Sequence, residues 1–115
     1  MEEYKVIFHV NELSKWETTL ANVSNLLVDL ANEAVEVIVL ANGEAVRYYE
    51  TESTEADVEK LAALSQKGVH FTACNNALKA QKLNKEVLLP YVNIVPAGIT
   101  ELVRKQQMGY AYIKA

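Results

Sequence analysis

Short apolar runs that suit β-strands alternate along the chain with segments of helical periodicity. Five runs rich in apolar, β-branched and aromatic residues predict strands over residues 4–10, 35–41, 69–73, 91–95 and 110–114. The second run is apolar except for Glu36, as expected for a parallel strand that is covered on both faces. The last run alternates apolar and polar positions, which favours a strand near the edge of the sheet.

The segments between these runs predict helices. The first helix carries an apolar stripe at spacings of three and four residues, formed by Trp16, Leu20, Val23, Leu27 and Leu30. Ser14 and Glu17 are placed to form a capping box at its start. Residues 44–53 are polar and poorly periodic, and we expect them to form a loop that has room for a short helical or extended piece.

Two more helices are marked by the residues at their ends. The second helix is predicted to open at Thr54, with Asp57 at the capping distance, and to end before Gly68. The third helix follows the third strand directly, with Asn75 or Asn76 as its N-cap.

A fourth helix is predicted between Pro96 and Gly109, and it completes the alternation of strands and helices. This order implies a three-layer α/β/α sandwich with a mainly parallel five-stranded sheet. Right-handed crossovers are expected to place helices on both faces of that sheet. The 115 residues suit one domain that spans residues 1–115.

The charge and the cysteine count narrow the choice of partners and compartment. The formal net charge is −4 and Lys and Arg are not clustered, so we expect neither nucleic acid nor a membrane surface as a partner. No signal-peptide pattern is seen, and no apolar run approaches the roughly 20 residues that a spanning helix needs. A single cysteine gives no disulfide framework, so we expect the protein in a reducing cytoplasm.

The sequence lacks the common signatures of cofactor-dependent and metal-dependent enzymes. The nucleotide-binding patterns GxGxxG and GxxxxGK[ST] are absent, as are CxxC, HExxH and the hydrolase pattern GxSxG. One cysteine also cannot make a four-cysteine zinc site. We therefore expect no cofactor and no metal site.

Polar residues follow three of the predicted strands, at the carboxyl ends where parallel sheets bind their ligands. These candidate site residues are His9, Asn11, Asn42, Gly43, Cys74, Asn75 and Asn76. We expect them to lie along one edge of the sheet, with the asparagines and Gly43 contributing to ligand binding.

Cys74 is the candidate nucleophile, and two interpretations of it are open. A lone cysteine is commonly a small buried hydrophobe. A thiol between a strand and a helix N-terminus is instead placed to become a reactive thiolate. His9 is placed either to orient or deprotonate this thiol or to be a satisfied strand-end histidine. His70 lies four residues before Cys74 in one strand, about 13 Å away, which is too far for a base.

Three segments resemble the DsrE/DsrF-like family, which includes the small sulfur-relay proteins TusD and TusC. They are residues 6–10 (VIFHV), residues 71–78 (FTACNNAL) and residues 95–102 (VPAGITEL), the last continued by residues 106–113 (QQMGYAYI). The resemblance runs over essentially the whole chain, and its cysteine–asparagine and closing segments are moderately specific when taken together.

The resemblance implies that Cys74 carries sulfur as a persulfide. It also implies homo-oligomers, commonly trimers or hexamers, and a sulfur donor or acceptor protein as partner. The first hypothesis is thus an intracellular sulfur carrier or sulfurtransferase-like protein, in which Asn75 and Asn76 stabilise the sulfur anion and His9 assists. The alternative is a non-catalytic oligomeric binding module for a small anion or nucleotide-like ligand, with Cys74 only lining the pocket.

Overall fold

The strands form one all-parallel sheet in the computed structural model, which describes residues 3–54 and 56–115. The strands are β1 (Glu3–Val10), β2 (Ala34–Ala41), β3 (His70–Cys74), β4 (Asn93–Val95) and β5 (Ala111–Lys114). The α-helices are α1 (Trp16–Asp29), α2 (Val58–Gln66), α3 (Asn75–Ala80) and α4 (Gly98–Gln107). The strand order is β4-β3-β2-β1-β5, with β4 and β5 at the two edges. The predicted α/β fold with a five-stranded sheet is confirmed, and every strand pair is parallel.

One face of the sheet is covered by α1, α2 and α3 and holds the larger part of the core. Phe8 of β1, Val39 of β2 and Phe71 of β3 belong to this core cluster. Trp16 from α1 and Leu61 from α2 join them and are fully buried. Burial of these large apolar side chains is the main source of stability in a domain of this size.

Helix α4 covers the opposite face and makes the third layer. Its Leu102 packs against Ile7 and Leu40 of the sheet and against Tyr110, which precedes β5. Burial raises the pKa of Tyr110 to about 12, and a hydrogen bond with the Glu36 carboxylate acts in the same direction. The chain therefore crosses back over the sheet between β4 and β5 on the side opposite to the other helices.

The loop predicted over residues 44–53 is helical and largely buried up to Tyr49. The segment Gly43–Tyr49 is a 3-10 helix in which Ala45, Val46, Tyr48 and Tyr49 are buried. The sequence did not predict this burial because the apolar residues of the segment follow neither the α-helical nor the strand period. A 3-10 helix has three residues per turn and places side chains differently.

This 3-10 segment completes a group of four rings, Trp16, Tyr48, Tyr49 and Phe71, called the aromatic cluster below. The rings of Trp16 and Tyr48 are stacked, with centroids 4.5 Å apart and planes at 8°. The polar atoms inside the cluster are also paired, because Trp16 Nε1 donates to the Ala45 carbonyl at 3.0 Å. The Tyr49 hydroxyl donates to the Val39 carbonyl at 2.9 Å.

Two of the predicted helix starts are wrong. Ser14 lies inside a 3-10 turn, Leu13–Lys15, and Lys15 is the N-cap of α1 without a side-chain cap. Thr54 does not open α2, which begins at Val58 with Asp57 as its N-cap. The Asp57 carboxylate accepts a hydrogen bond from the Lys60 N–H at 3.0 Å. A carboxylate one residue before the first turn satisfies the free N–H groups better than the more distant threonine.

The predicted helix ends at glycine agree with the structure. Gly68 has φ 98° and Gly109 has φ 95°, and each follows the C-cap residue of its helix. This left-handed conformation at the C′ position is the one that glycine adopts without steric cost. In the described parts of the chain, no helix is long and apolar enough to span a membrane.

Candidate functional site

The parallel register brings the ends of the central strands together at one edge of the sheet. Ala41 of β2 pairs with Ala73 of β3, so Asn42 follows directly beside Cys74. Cys74 in turn pairs with Val95 of β4, three residues before α4 begins. The strand connections thus place an amide, a thiol and a helix start next to one another, as the carboxyl edge of a parallel sheet is expected to do.

Cys74 is the last residue of β3 and also the N-cap of α3. The prediction that Asn75 or Asn76 caps this helix is therefore wrong, because α3 starts at Asn75 and Cys74 keeps the extended backbone of a cap residue. The thiol is 6% exposed. Its Sγ accepts a hydrogen bond from the Gly98 N–H at 3.2 Å.

Gly98 is the first residue of α4, so its N–H is one of the helix donors without an intrahelical partner. The first turn of a helix also carries the positive end of the helix dipole. A thiolate or persulfide anion on Cys74 would therefore receive both a directed hydrogen bond and a favourable field. This contact comes from α4, at the far end of the chain, and not from the helix that follows Cys74.

No side chain fits at position 98 without displacing a neighbour. A Cβ atom built on Gly98 lies 3.3 Å from the Cys74 Cβ and 3.6 Å from both Cβ and Nδ2 of Asn42. The bare main chain of Gly98 thus lies between the two side chains. We call Cys74, Gly98 and Asn42 the thiol corner.

His9 reaches the thiol corner through Asn42. Its Nε2 lies 3.0 Å from the Asn42 Oδ1, and its Nδ1 lies 2.7 Å from the hydroxyl of Tyr112. A carbonyl oxygen only accepts, so Nε2 carries the proton of this hydrogen bond. In the neutral ring the Tyr112 hydroxyl then donates to Nδ1. The His9 ring is half-buried and Tyr112 is 38% exposed, so the chain of contacts runs from the corner towards solvent.

The remaining predicted site residues surround this corner at its solvent side. Gly43 has φ 56°, and a Cβ on it would lie 3.1 Å from the Asn11 carbonyl, so the turn after β2 passes close to the end of β1. Asn11, Gly43 and Asn76 are exposed, and Asn75 is half-buried. Their roles in ligand binding stay predictions.

The structure separates His70 from the thiol corner and adds two residues to it. His70 is exposed and lies at the opposite end of β3. Neither Tyr112 nor Gly98 is among the site residues that the sequence predicts, although Gly98 lies in the resembling segment 95–102. A glycine just inside a predicted helix, where no turn needs it, was the signal for a close main-chain approach. Nothing in the local sequence links Tyr112 to His9, because that contact depends on the pairing of β5 with β1.

One groove in the described parts of the chain lies away from the thiol. It lies between α1 and β5, has a volume of about 490 Å³ and is mainly apolar, with Phe8, Leu26, Ala111 and Ile113 among its lining residues. We place the candidate chemistry at the thiol corner because the residues that line the groove include no thiol. Within residues 3–54 and 56–115, no group of three or more His, Cys, Asp and Glu side chains is placed to hold a metal ion.

Two solved structures are similar to this chain over almost its whole length. The protein MTH1491 from Methanobacterium thermoautotrophicum, described as a protein of unknown function, is 33% identical, with a TM-score of 0.88. The match covers 97% of this chain and 99% of that one. The ychN protein from E. coli is 14% identical with a TM-score of 0.75 and the same coverage, and this likeness shows the fold alone. No curated protein matches the sequence.

The family match covers the residues that build the site. The model of the DsrE/DsrF-like family matches residues 5–115, which include β1 from its third residue, the whole thiol corner and β5. The resemblance noted in the sequence is therefore confirmed, and this chain belongs to the DsrE/DsrF-like family.

Proposed function

We propose that this protein is an intracellular sulfur carrier of the sulfurtransferase type, with the sulfur held as a persulfide on Cys74. Membership of the DsrE/DsrF-like family suggests a role related to sulfur relay. The observation that carries the proposal is the hydrogen bond from the Gly98 N–H to the Cys74 Sγ at 3.2 Å. A sulfur that accepts a main-chain donor at the start of α4 is set up to carry negative charge.

The loading step is an exchange between two sulfur atoms. The Cys74 thiolate attacks the outer sulfur of a donor persulfide, R–S–SH, and a new bond forms between Sγ and that outer sulfur. The S–S bond of the donor breaks, and its electron pair leaves with the donor as the thiolate R–S⁻. Delivery is the same reaction in reverse order, with an acceptor thiolate attacking the outer sulfur of Cys74 and the Cys74 thiolate leaving. Neither step needs an added oxidant or reductant.

The low exposure of Cys74 suits a carrier that protects its sulfur. A persulfide adds one atom about 2 Å beyond Sγ, since sulfur–sulfur bonds have this length. That outer sulfur extends from the buried Sγ towards the solvent side of the corner, where Asn76 is exposed and Asn75 half-buried. Water and stray thiols would then reach the bound sulfur less readily than a partner that docks at this edge.

A homo-oligomer, a trimer or a hexamer, and a sulfur donor or acceptor protein are part of the same proposal. Helix α4 supports this with two exposed apolar side chains one turn apart, Ile99 at 67% and Val103 at 51% exposure, directly after Gly98. Apolar surface of this kind at a functional edge is typical of contact regions. We place the carrier in the cytoplasm, whose reducing conditions keep a single reactive thiol free of disulfides.

One observation favours a second candidate, a binding module for a small anion or nucleotide-like ligand. Cys74 is 6% exposed and belongs to the main core cluster, as a cysteine that only lines a pocket would. This candidate predicts that inorganic phosphate, sulfate or a nucleotide raises the melting temperature by binding the folded state. It also predicts that Cys74 takes up no sulfur.

Intact-protein mass spectrometry separates the two functions. After incubation with a low-molecular-weight persulfide, the carrier is expected to gain about 32 Da, the mass of one sulfur atom, in the manner of a reversible persulfidation. The Cys74→Ser variant is the control and should gain nothing. If the native protein stays unchanged in mass while phosphate or a nucleotide raises its melting temperature, the binding module is correct and the carrier is not.

A further inference from the structure

Asn42 is held between a histidine and the main chain beside the thiol. Its Oδ1 lies 3.0 Å from His9 Nε2, and its Nδ2 borders Gly98, 3.6 Å from where a Cβ of that glycine would be. The two ends of one amide therefore face different groups. The oxygen faces His9, and the NH₂ group faces the corner that holds Cys74.

Tyr112 and His9 together fix this orientation of the amide. In the neutral histidine, a Tyr112 hydroxyl that donates to Nδ1 at 2.7 Å keeps the ring proton on Nε2, which then donates to Oδ1 of Asn42. In the protonated histidine both ring nitrogens carry protons, and Nε2 still donates to the same oxygen. A flipped amide would put its NH₂ group against the Nε2 proton. The orientation of Asn42 is thus the same in both charge states of His9.

The NH₂ group of Asn42 is a hydrogen-bond donor that the fold of the unloaded protein does not use. Within residues 3–54 and 56–115, Nδ2 of Asn42 donates to no protein atom, whereas the Gly98 N–H already donates to Cys74 Sγ. A persulfide places its charged outer sulfur about 2 Å beyond Sγ, so that atom needs a donor other than Gly98. Asn42 borders the same glycine from its other side.

We propose that Asn42 donates a hydrogen bond to the outer sulfur of the Cys74 persulfide, and that His9 and Tyr112 are positioning residues that hold its amide in place. This inference rests on the proposed sulfur-carrier function and gives His9 a role other than that of a base. It applies to a persulfide or another small sulfur anion bound through Cys74. Removing the donor or either positioning residue is expected to shorten the lifetime of the loaded protein.

The test compares the lifetimes of the loaded proteins. Each variant is loaded with a low-molecular-weight persulfide, desalted and followed by intact mass as it loses sulfur to a fixed concentration of thiol. Asn42→Asp puts an anionic oxygen where the donor was and should speed the loss by about tenfold or more, because hydrogen bonds to charged groups are among the stronger ones. His9→Ala and Tyr112→Phe should act in the same direction, with Tyr112→Phe the mildest because it removes a single oxygen.

Two controls distinguish positioning from general damage. His9→Gln keeps an N–H that can donate to the Asn42 oxygen and should restore the lifetime to within about threefold of the native value. His70→Gln, at the far end of β3, should leave it unchanged. Melting temperatures of all variants are measured alongside, and the expected change in lifetime appears without a matching loss of stability.

Failure of the positioning inference and failure of the carrier function give different results. If the native protein loads sulfur but Asn42→Asp keeps it as long as the native protein does, the positioning inference is wrong and the carrier function stands. The positioning inference is also wrong if His9→Gln is as defective as His9→Ala. If the native protein takes up no sulfur, both the carrier function and this inference are wrong.

Discussion

The aromatic cluster and the thiol corner are both built at the same end of β2, yet they use their polar groups in opposite ways. In the aromatic cluster the named donors form hydrogen bonds to main-chain carbonyls of the fold. Trp16 Nε1 donates to the Ala45 carbonyl, and the Tyr49 hydroxyl donates to the Val39 carbonyl. In the thiol corner the Gly98 N–H donates to the Cys74 sulfur. The Asn42 NH₂ group donates to no protein atom within residues 3–54 and 56–115. The difference supports the proposal that the first region serves stability and the second serves chemistry.

The largest expected effect comes from breaking the aromatic cluster. Trp16→Ala removes a fully buried ring that contacts Tyr48, Tyr49 and Phe71 and should lower the free energy of unfolding by about 3–5 kcal/mol. Urea unfolding followed by circular dichroism measures it. Val28→Ala on the same helix, at a side chain that is 78% exposed, is the control and should change stability by less than about 0.5 kcal/mol.

Sulfur loading by folded Trp16→Ala protein tests whether the thiol corner is independent of the aromatic cluster. Under conditions where it is folded, Cys74 should still load sulfur at close to the native rate, because the ring contacts of Trp16 involve neither Gly98 nor Asn42. A loading defect as large as that of Cys74→Ser in fully folded Trp16→Ala would contradict the division between the two regions.

The next effect comes from filling the thiol corner. Gly98→Ala places a methyl group 3.3 Å from the Cys74 Cβ, so the helix start or the strand end must move, at a cost of about 1–3 kcal/mol in unfolding free energy. The methyl also fills the space between Cys74 and Asn42, so sulfur loading should slow sharply. Loading rates by intact mass and urea unfolding measure the two effects.

Gly68→Ala is the matched control for this change. Nothing lies within 4 Å of a Cβ at this position, but φ is +98°, so the cost of about 1–2 kcal/mol arises from the backbone alone. It should lower stability by a similar amount and leave sulfur loading as it is. Equal loading rates in Gly98→Ala and the native protein would show that the corner is wider than its geometry implies.

The smallest predicted effect is a pH dependence of stability that arises from Tyr110, on the sheet face that α4 covers. Burial raises the pKa of Tyr110 from 10.0 to about 12, so the folded protein binds this proton more tightly than the unfolded chain. The stabilisation is fully present below the unfolded pKa and is lost as the pH rises from 10.0 to about 12. Tyr110→Phe should therefore flatten part of the loss of stability that urea midpoints show as the pH rises from 10.0 to about 12. A native decline that Tyr110→Phe leaves unchanged would show that other groups cause it, such as Tyr48, Tyr49 and Tyr91, whose pKa values burial also raises.

Features with a regular period could be predicted from the sequence. The strand runs and the stripe of α1 have periods of about 2 and 3.6, so the α/β sandwich followed from them. Alternation then placed Cys74 and Asn42 at one edge. The segment Gly43–Tyr49 could not be predicted in this way, because its buried residues follow the period of a 3-10 helix.

The contacts that define the thiol corner were harder to predict than its members. The donor to Cys74 comes from Gly98, 24 residues later in the chain, and the partner of His9 is Tyr112, 103 residues later. Such contacts depend on how α4 crosses the sheet and on β5 pairing with β1, which local patterns do not encode. The motif around Cys74 identified the candidate nucleophile but indicated α3 as its helix, whereas the structure places the start of α4 against the sulfur.

Transfer of sulfur from the loaded protein to a thiol is the decisive experiment for Cys74 as a carrier. Protein loaded at Cys74 is mixed with a small acceptor thiol, and the masses of both are followed over time. The protein is expected to lose about 32 Da while an equal amount of acceptor persulfide appears, as in exchange of the thiol–disulfide type. Neither loading nor transfer is expected for Cys74→Ser. Sulfur that never leaves the protein, or a Cys74→Ser variant that loads and delivers as well as the native protein, would contradict the proposal that Cys74 is a sulfur carrier.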